Sequence, residues 1–176
     1  LRSRAAAAGA EYFTGTFVRI ERPDGTPVVI YRDNASQEER ALPCKLVIGA
    51  DGAKSRVGLA EVKDADKVPL VFAYHEIIKA PPKTEVYDPV RCDVIYDGAI
   101  SPDFYGWVFP HGDSASVGMG SELSSVDLKK ATLALRTAAG LDHCETLRRE
   151  GAPIPLKPLD CWDNGKDVVL AGDAAG

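Results

Sequence analysis

The sequence predicts a mixed α/β (α+β) fold, in which a parallel-sheet domain is interrupted by an inserted domain of antiparallel sheet. Two short apolar runs, residues 46–48 and 168–170, each stop abruptly at glycine and aspartate. Buried parallel strands have this pattern where their carboxyl ends open onto a ligand. Between the runs, β-rich segments alternate with turn signals, which is typical of an antiparallel sheet. We therefore assign residues 1–60 and 161–176 to the first domain and residues 61–160 to the insertion.

The first domain is predicted to begin with a helix and a β-hairpin. Alanine-rich residues 3–8 favour a helix. Residues 12–20 and 28–31 have strand composition and flank a turn-forming Pro-Asp-Gly segment. Polar residues 33–40 are interpreted as a loop before the chain re-enters the core, and residues 54–60 as a short helix or turn.

The inserted domain is predicted to combine strands with helix. Strands are expected at residues 69–78, 92–96, 105–109 and 115–120. Residues 125–139 are helical in composition, with Ser124 or Ser125 as the N-cap. Residues 141–149 are interpreted as a second short helix, and the prolines of residues 151–158 require an extended chain.

Composition argues against several classes of function. The 176 residues carry a formal net charge of −5 with a pI near 5.2, and the basic residues are scattered, which argues against nucleic-acid binding. Four cysteines lie far apart without a C-x-x-C pair. They indicate neither a zinc site nor a disulfide framework, and reduced thiols in the cytoplasm are expected. No apolar run is long enough to predict a membrane span, and no metal is expected.

The residues that end the two apolar runs suit a dinucleotide. Glycine lets the backbone approach a ligand closely, and an aspartate just beyond a strand can accept hydrogen bonds from sugar hydroxyls. After the second run, small residues 174–176 are predicted to open a helix, whose N-terminal N–H groups attract phosphate. The alternative is an ordinary turn, because Asp-Gly is a common turn dipeptide.

Three motifs carry a resemblance to a known family. Residues 46–56 resemble the Asp-Gly motif, and residues 168–176 the Gly-Asp motif, of flavoprotein hydroxylases and reductases with the p-hydroxybenzoate hydroxylase type of fold. Residues 102–110 match the P-x-x-Y-x-W-x-F-P motif of geranylgeranyl reductases at every fixed position. Matches to the chlorophyll and bacteriochlorophyll branch lie at residues 116–121, 149–155 and 162–165. The chain is identified as similar to this family over nearly its whole length.

The resemblance implies reduction of double bonds in a geranylgeranyl chain to give phytyl, with FAD as hydride carrier and NADPH as electron donor. The substrate is then a polyprenyl diphosphate or a pigment-attached chain. By the same resemblance, Asp173 hydrogen-bonds the ribityl region of FAD, with Gly172 and Ala174 beside it. Asp51 and Gly52 are the other expected cofactor-binding residues.

Arg56 belongs to the basic end of the first motif. The resemblance implies that it helps to bridge the flavin and nicotinamide regions. The alternative is a solvated arginine at a helix end.

Aromatic residues are the expected substrate-binding surface. Tyr105, Trp107 and Phe109 alternate along one strand, so they point to one face, which suits a polyprenyl chain. The alternative is that they form the core side of a sheet. Tyr105 is the candidate proton donor or orienting residue, and His111 a second catalytic candidate that is equally compatible with a turn. His75 could be exposed or line a pocket.

One expected element is missing, because no G-x-G-x-x-G turn occurs. We therefore expect an internal fragment of a longer polypeptide, inactive when isolated. The functional alternatives are an aromatic monooxygenase of the same fold and an incomplete domain without activity. A lipid-like substrate implies contact with the surface of a membrane, such as a photosynthetic membrane, and the oligomeric state stays open.

Overall fold

A computed structural model describes residues 1–176. The chain divides into two units, one formed by Leu1–Val68 with Lys157–Gly176 and the other by Pro69–Leu156. The boundaries thus fall after residues 68 and 156, whereas the sequence places them after residues 60 and 160. The first boundary lies later because Val62 is still buried in the core of the first unit.

The N-terminal part of the first unit is a helix followed by a three-stranded antiparallel sheet. Its elements are α1 (Arg2–Ala7), β1 (Gly15–Glu21), β2 (Val28–Asp33) and β3 (Glu39–Pro43). The predicted hairpin of β1 and β2 is present. The loop predicted over residues 33–40 is wrong at its end, where β3 begins. Asp33 accepts hydrogen bonds from the backbone of Ala35 and Ser36 and so closes a tight turn into β3, whose exposed side chains lack the alternation of a half-buried strand.

The two apolar runs form the only parallel pair. Strands β4 (Val47–Gly49) and β10 (Val168–Leu170) pair with each other, and α2 (Arg56–Glu61) packs against β10. Ser55 is the N-cap of α2 and accepts a hydrogen bond from the N–H of Gly58 at 2.8 Å, so of the two predicted alternatives, a short helix or a turn, the helix forms. The prediction that the strand is buried is wrong for Ile48, which is 61% exposed, because within this chain β4 has β10 as its single neighbour.

The second unit is a five-stranded antiparallel sheet with one helix. Its elements are β5 (Leu70–Lys79), β6 (Asp93–Ile95), β7 (Gly106–His111), β8 (Ser114–Ser121), α3 (Leu128–Ala138) and β9 (Thr146–Pro155). The strand order is β6-β7-β8-β5-β9. All four strands predicted for this region are present, with ends shifted by one or two residues.

Helix α3 covers one face of this sheet. It contacts β8 and β5, and Leu135 and Thr132 are buried against them. Its N-cap is Asp127, whose carboxylate accepts hydrogen bonds from the backbone of Lys129 and Lys130, so the predicted cap at Ser124 or Ser125 is wrong. None of the helices is long and apolar enough to cross a membrane.

The helix predicted over residues 141–149 is wrong. The end of this segment belongs to β9, which pairs with β5, and the segment between α3 and β9 is a loop. The buried guanidinium of Arg136 donates hydrogen bonds to the carbonyl oxygens of Leu141 and Cys144. The carbonyl oxygen of Leu141 also accepts a hydrogen bond from the N–H of Cys144 at 3.2 Å, which closes a single turn. The competing bonds from Arg136 explain why this turn does not continue as a second helix.

Candidate cofactor and substrate sites

Both glycine-aspartate motifs follow strands that lie side by side in the first unit. Leu170 is the partner of Gly49 in the parallel pair, and the N–H of Ala171 donates to the carbonyl oxygen of Gly49 at 2.9 Å. The chain therefore leaves both strands at the same edge, and Asp51 and Asp173 follow within three residues. Open α/β sheets bind ligands at the carboxyl ends of their strands.

Asp173 lies in the turn directly after β10. Gly172–Ala174 form a 3₁₀ turn. Asp173 is exposed, and its carboxylate has no hydrogen-bond partner within the chain. Gly172 has φ +62°, and a Cβ there would meet nothing within 4 Å. Ala174 is buried in the core, so it can offer a ligand only its backbone.

Asp51 has a structural role at the start of α2. Its carboxylate accepts hydrogen bonds from the Ser55 hydroxyl and from the backbone N–H groups of Arg56 at 2.7 Å and Val57 at 3.3 Å. Partial burial acts to raise the pKa of Asp51, but the hydrogen bonds from Ser55, Val57 and Arg56 outweigh it and lower that pKa. About three of the four acceptor positions of the carboxylate are thus used. Gly52, with φ +86°, makes the turn between the strand and this cap.

Arg56 lines a cavity of about 620 Å³ within the first unit. The walls come from β1, β2 and α2 and include Arg32 and Phe17. The guanidinium of Arg56 has no ion pair in the chain, whereas Arg32 lies 3.8 Å from Glu39. Two arginines beside an open cavity suit an anionic group such as a phosphate.

These features of the first unit fit a flavin dinucleotide. A free carboxylate at Asp173 can accept hydrogen bonds from ribityl or ribose hydroxyls. The open space around Gly52 and Gly172 would let a ligand reach the backbone, and a side chain at either position would be strained by the positive φ. The residues present therefore suit the hydroxyl-bearing part of FAD.

Tyr105, Trp107 and Phe109 form an aromatic row on the sheet face opposite α3. The ring centroids of Tyr105 and Trp107 are 6.1 Å apart, and those of Trp107 and Phe109 6.2 Å. The intervening Val108 packs on the other face, in the core that includes Leu135 of α3. The predicted common direction of the three aromatic side chains is therefore confirmed, and they do not belong to the core beneath the helix.

Tyr105 stands at the outer end of the row. Its ring stacks on Phe104 at a centroid distance of 4.1 Å and lies 5.9 Å from the ring of Tyr96. The Tyr105 side chain is partly exposed, and its hydroxyl makes no hydrogen bond within the chain. This hydroxyl is therefore free to bind or protonate a ligand.

His111 lies at the end of β7, where the chain turns into β8. It pairs with Ser114 across the hairpin, and the neighbouring Gly112 has φ +68°. The imidazole is exposed and lies outside the cavity beside Trp107. This placement agrees with the alternative of a turn residue.

A cavity of about 450 Å³ opens beside Trp107, between β5, β7 and β9. Its lining residues are Ala73, His75, Trp107, Glu150, Gly151, Ala152 and Ile154. The Nε1–H of Trp107 donates to the hydroxyl oxygen of Ser116 at 3.0 Å, and Nδ1 of His75 lies 2.8 Å from the same oxygen. Nε2 of His75 lies 3.1 Å from a carboxylate oxygen of Glu150.

Sequence reasoning placed Ser116 and Glu150 within segments that resemble the family but gave neither residue a role. Glu150 is the direct partner of His75 on β9. Ser116 is its diagonal neighbour on β8, where His75 pairs with Gly118 two residues further along. The alternation of residues along β5 did not show which face of the sheet His75 occupies. The available signal was the small-residue pattern of β8, in which Ser116 and Gly118 alternate with apolar residues.

Comparison with known proteins identifies the relatives of this chain. Residues 1–69 match the family model described as FAD binding domain. The chain is 64% identical over all of its 176 residues to the geranylgeranyl diphosphate reductase of Rhodobacter capsulatus, of which it spans 44%.

Solved structures share the fold. A geranylgeranyl bacteriochlorophyll reductase-like protein from Thermoplasma acidophilum matches 98% of this chain and 45% of its own length, with a TM-score of 0.80 and 25% identity. A flavin-dependent halogenase matches 98% of this chain and 33% of its own length, with a TM-score of 0.68 and 17% identity. The chain has the predicted p-hydroxybenzoate-hydroxylase-like fold and spans less than half the length of these relatives.

Proposed function

Because this chain belongs to the geranylgeranyl reductase family, we propose that it forms part of an FAD-dependent enzyme that saturates double bonds of a geranylgeranyl chain. The observation that carries the proposal is the aromatic row of Tyr105, Trp107 and Phe109, which lies outside the helix-covered core and whose central residue, Trp107, lines an open cavity. An apolar chain without polar handles is bound by this kind of surface, because burial of its methylene and methyl groups supplies the affinity.

FAD, when bound, supplies the hydride for such a reduction. The protein must then hold the cofactor, orient the apolar chain and exclude water. In the first unit, Asp173 is proposed to accept hydrogen bonds from the ribityl hydroxyls, with Gly172 giving the backbone access. Asp51 is proposed to hold the start of α2 in place and to offer its remaining acceptor position, with Gly52 beside it.

Reduction of a carbon–carbon double bond also needs a proton at the second carbon. Tyr105 is our proposed donor, because its hydroxyl is free and lies at the partly exposed end of the aromatic row. His111 is the weaker candidate, since it lies in a turn outside the cavity.

NADPH is the proposed source of electrons. The unpaired guanidinium of Arg56, with Arg32 in the same cavity wall, supports binding of a phosphate-bearing donor in the first unit.

A role in chlorophyll or bacteriochlorophyll synthesis, at the surface of a photosynthetic membrane, is also proposed. Its support is the names of the related proteins. The pigment-attached chain and the free diphosphate both remain candidate substrates.

The proposal is tested with the complete protein loaded with FAD. Under anaerobic conditions, geranylgeranyl diphosphate and NADPH should yield products that have gained two hydrogen atoms for each double bond saturated, as measured by mass spectrometry. Trp107→Ala should lower product formation about tenfold or more, because it removes the central ring of the row. The matched control is Trp162→Phe, which changes the other tryptophan.

Two results would contradict the proposal. The first is a protein that binds FAD and leaves geranylgeranyl substrates unreduced with NADPH or with a chemical reductant such as dithionite. The second is substrate-dependent consumption of oxygen in air, which would favour the alternative of a flavin-dependent monooxygenase of the same fold.

A further inference from the structure

The hydroxyl of Ser116 is shared by two side chains of the sheet face opposite α3. Trp107 Nε1–H donates to it at 3.0 Å, and His75 Nδ1 lies 2.8 Å from it. Because an indole N–H is a donor only, Ser116 must be the acceptor in the first bond. A hydroxyl has a second lone pair and a hydrogen, so it can bond His75 in either tautomer of the imidazole.

His75 is held from its other side as well. Its Nε2 lies 3.1 Å from Oε2 of Glu150, and Oε1 of Glu150 lies 2.7 Å from Nε of Arg148. These contacts join β9, β5, β8 and β7 through the side chains of Arg148, Glu150, His75, Ser116 and Trp107. Both ring nitrogens of His75 therefore have partners in the chain, which suits a residue that orients others better than one that donates a proton to substrate.

The backbone of β8 at Gly118 lies in close contact with the side chains of His75 and Trp107. A Cβ on Gly118 would lie 2.4 Å from the Cβ of His75 and 2.6 Å from the ring of Trp107. The two rings thus lie directly on the sheet, with centroids 6.2 Å apart. Trp107 is 8% exposed, and what remains of its surface lines the cavity of about 450 Å³.

We propose that His75 and Ser116 are positioning residues that fix the indole plane of Trp107 and thereby set the shape of the cavity for an apolar chain. The identity of that chain as polyprenyl rests on the proposed function. Neither residue needs to touch the reacting carbons, since each acts through the indole. The effect is expected in the binding of substrate more than in the chemical step.

The first experiment needs no substrate. In a Trp162→Phe background, Trp107 is the remaining tryptophan, and its emission reports its surroundings. Ser116→Ala and His75→Ala should shift this emission to the red and raise its quenching by acrylamide. Ser114→Ala, on the same strand, and His143→Ala, in an exposed loop, are the controls and should leave both unchanged.

Conservative variants separate positioning from a general loss of packing. His75→Asn places an amide nitrogen where Nδ1 lies, and Ser116→Thr keeps the hydroxyl, so both should restore the emission of Trp107. An emission that stays red-shifted in both, or that is unchanged in Ser116→Ala and His75→Ala, would overturn the proposal.

The second experiment uses the complete protein with FAD and geranylgeranyl diphosphate. Loss of one hydrogen bond to the indole should raise KM about five- to tenfold in Ser116→Ala, with kcat changed by less than about threefold. His75→Asn should stay close to wild type in KM. A fall in kcat with KM unchanged in the alanine variants would show that His75 or Ser116 acts in the chemical step, which contradicts a positioning role.

The two proposals fail in different ways. If the wild-type protein reduces no geranylgeranyl substrate, the proposed function fails, while the emission of Trp107 still decides whether His75 and Ser116 position it. If the wild-type protein is active and the alanine variants match it in KM and emission, the positioning role alone fails.

Discussion

The N–H of Ala171 donates a hydrogen bond to the carbonyl oxygen of Gly49, although the two residues lie in distant parts of the sequence. This bond continues the parallel ladder of β4 and β10 beyond its last paired residues. It places the two chain segments that carry Asp51 and Asp173 next to each other. The first unit therefore has two acidic residues near one strand edge, one used in a helix cap and one free.

Asp173→Asn is predicted to weaken FAD binding by the complete protein. An asparagine keeps the size of the side chain but removes the charge that strengthens hydrogen bonds from hydroxyls, so we expect about a tenfold loss of affinity or more. Titration of the apoprotein with FAD, followed by flavin fluorescence, measures it. The matched control is Asp24→Asn in the exposed turn of the hairpin, and equal affinity in the two variants would argue against a cofactor contact at Asp173.

Asp51→Ala is predicted to destabilise the protein even without cofactor. The change removes the acceptor for the Ser55 hydroxyl and for two backbone N–H groups at the start of α2. Loss of such a cap costs about 0.5–2 kcal/mol in the free energy of unfolding. Urea denaturation of the apoprotein should show the loss, and an unchanged midpoint would mean that the cap is dispensable.

The sequence predicted most strand positions and the β1–β2 hairpin, but not the register between strands that lie far apart in the chain. Tyr105, Trp107 and Phe109 could be placed on one face because alternation is a local property of a strand. The contact of His75 with Ser116 depends on the register between β5 and β8, which is set by packing over distant parts of the chain. No local pattern contains that information.

Two elements could not be predicted for a different reason. Strand β3 is exposed along its whole length, so its charged residues gave no apolar alternation to detect. The segment after α3 has helix-forming composition, but Arg136 donates hydrogen bonds to two of its carbonyl oxygens, and the end of the segment pairs with β5. In both cases tertiary hydrogen bonds decided the local structure.

Gly118→Ala is predicted to disrupt the aromatic face. The new Cβ would lie 2.6 Å from the carbonyl oxygen of Tyr74 and 2.6 Å from the ring of Trp107, so the backbone or the indole must move. We expect a loss of about 1–3 kcal/mol in the free energy of unfolding, together with a shift of Trp107 emission. Gly98→Ala is the matched control, because a Cβ there meets nothing within 4 Å. Equal stability of the two variants would contradict the close approach of these strands.

The ion pair of Arg136 and Glu76 is predicted to stabilise the second unit. Both side chains are largely buried, and Glu76 also accepts hydrogen bonds from the hydroxyls of Tyr74 and Thr146, each at 3.0 Å. Arg136→Met would leave the carboxylate with Arg149, at 3.1 Å and largely exposed, as its remaining ionic partner. It would also remove the hydrogen bonds to the carbonyl oxygens of Leu141 and Cys144, so we expect a cost of about 3 kcal/mol. Thermal or urea denaturation measures the loss. The control is Arg91→Met, which breaks an exposed pair with Asp93 and should change stability little.

The same carboxylate predicts how stability depends on pH. Burial acts to raise the pKa of Glu76, but the hydrogen bonds from Tyr74, Thr146 and Arg136 outweigh it and lower the pKa below its ordinary value of 4.5. Because the folded state then binds this proton less tightly than the unfolded state, the stabilisation is fully present above about pH 4.5 and is lost as the pH falls through the lowered pKa. Urea midpoints measured from neutral pH to about pH 3 should therefore fall in the wild type and fall less steeply in Glu76→Gln, which cannot lose a charge. Glu85→Gln, at an exposed position, should follow the wild-type curve, and parallel curves for wild type and Glu76→Gln would show that Glu76 does not contribute to the acid sensitivity.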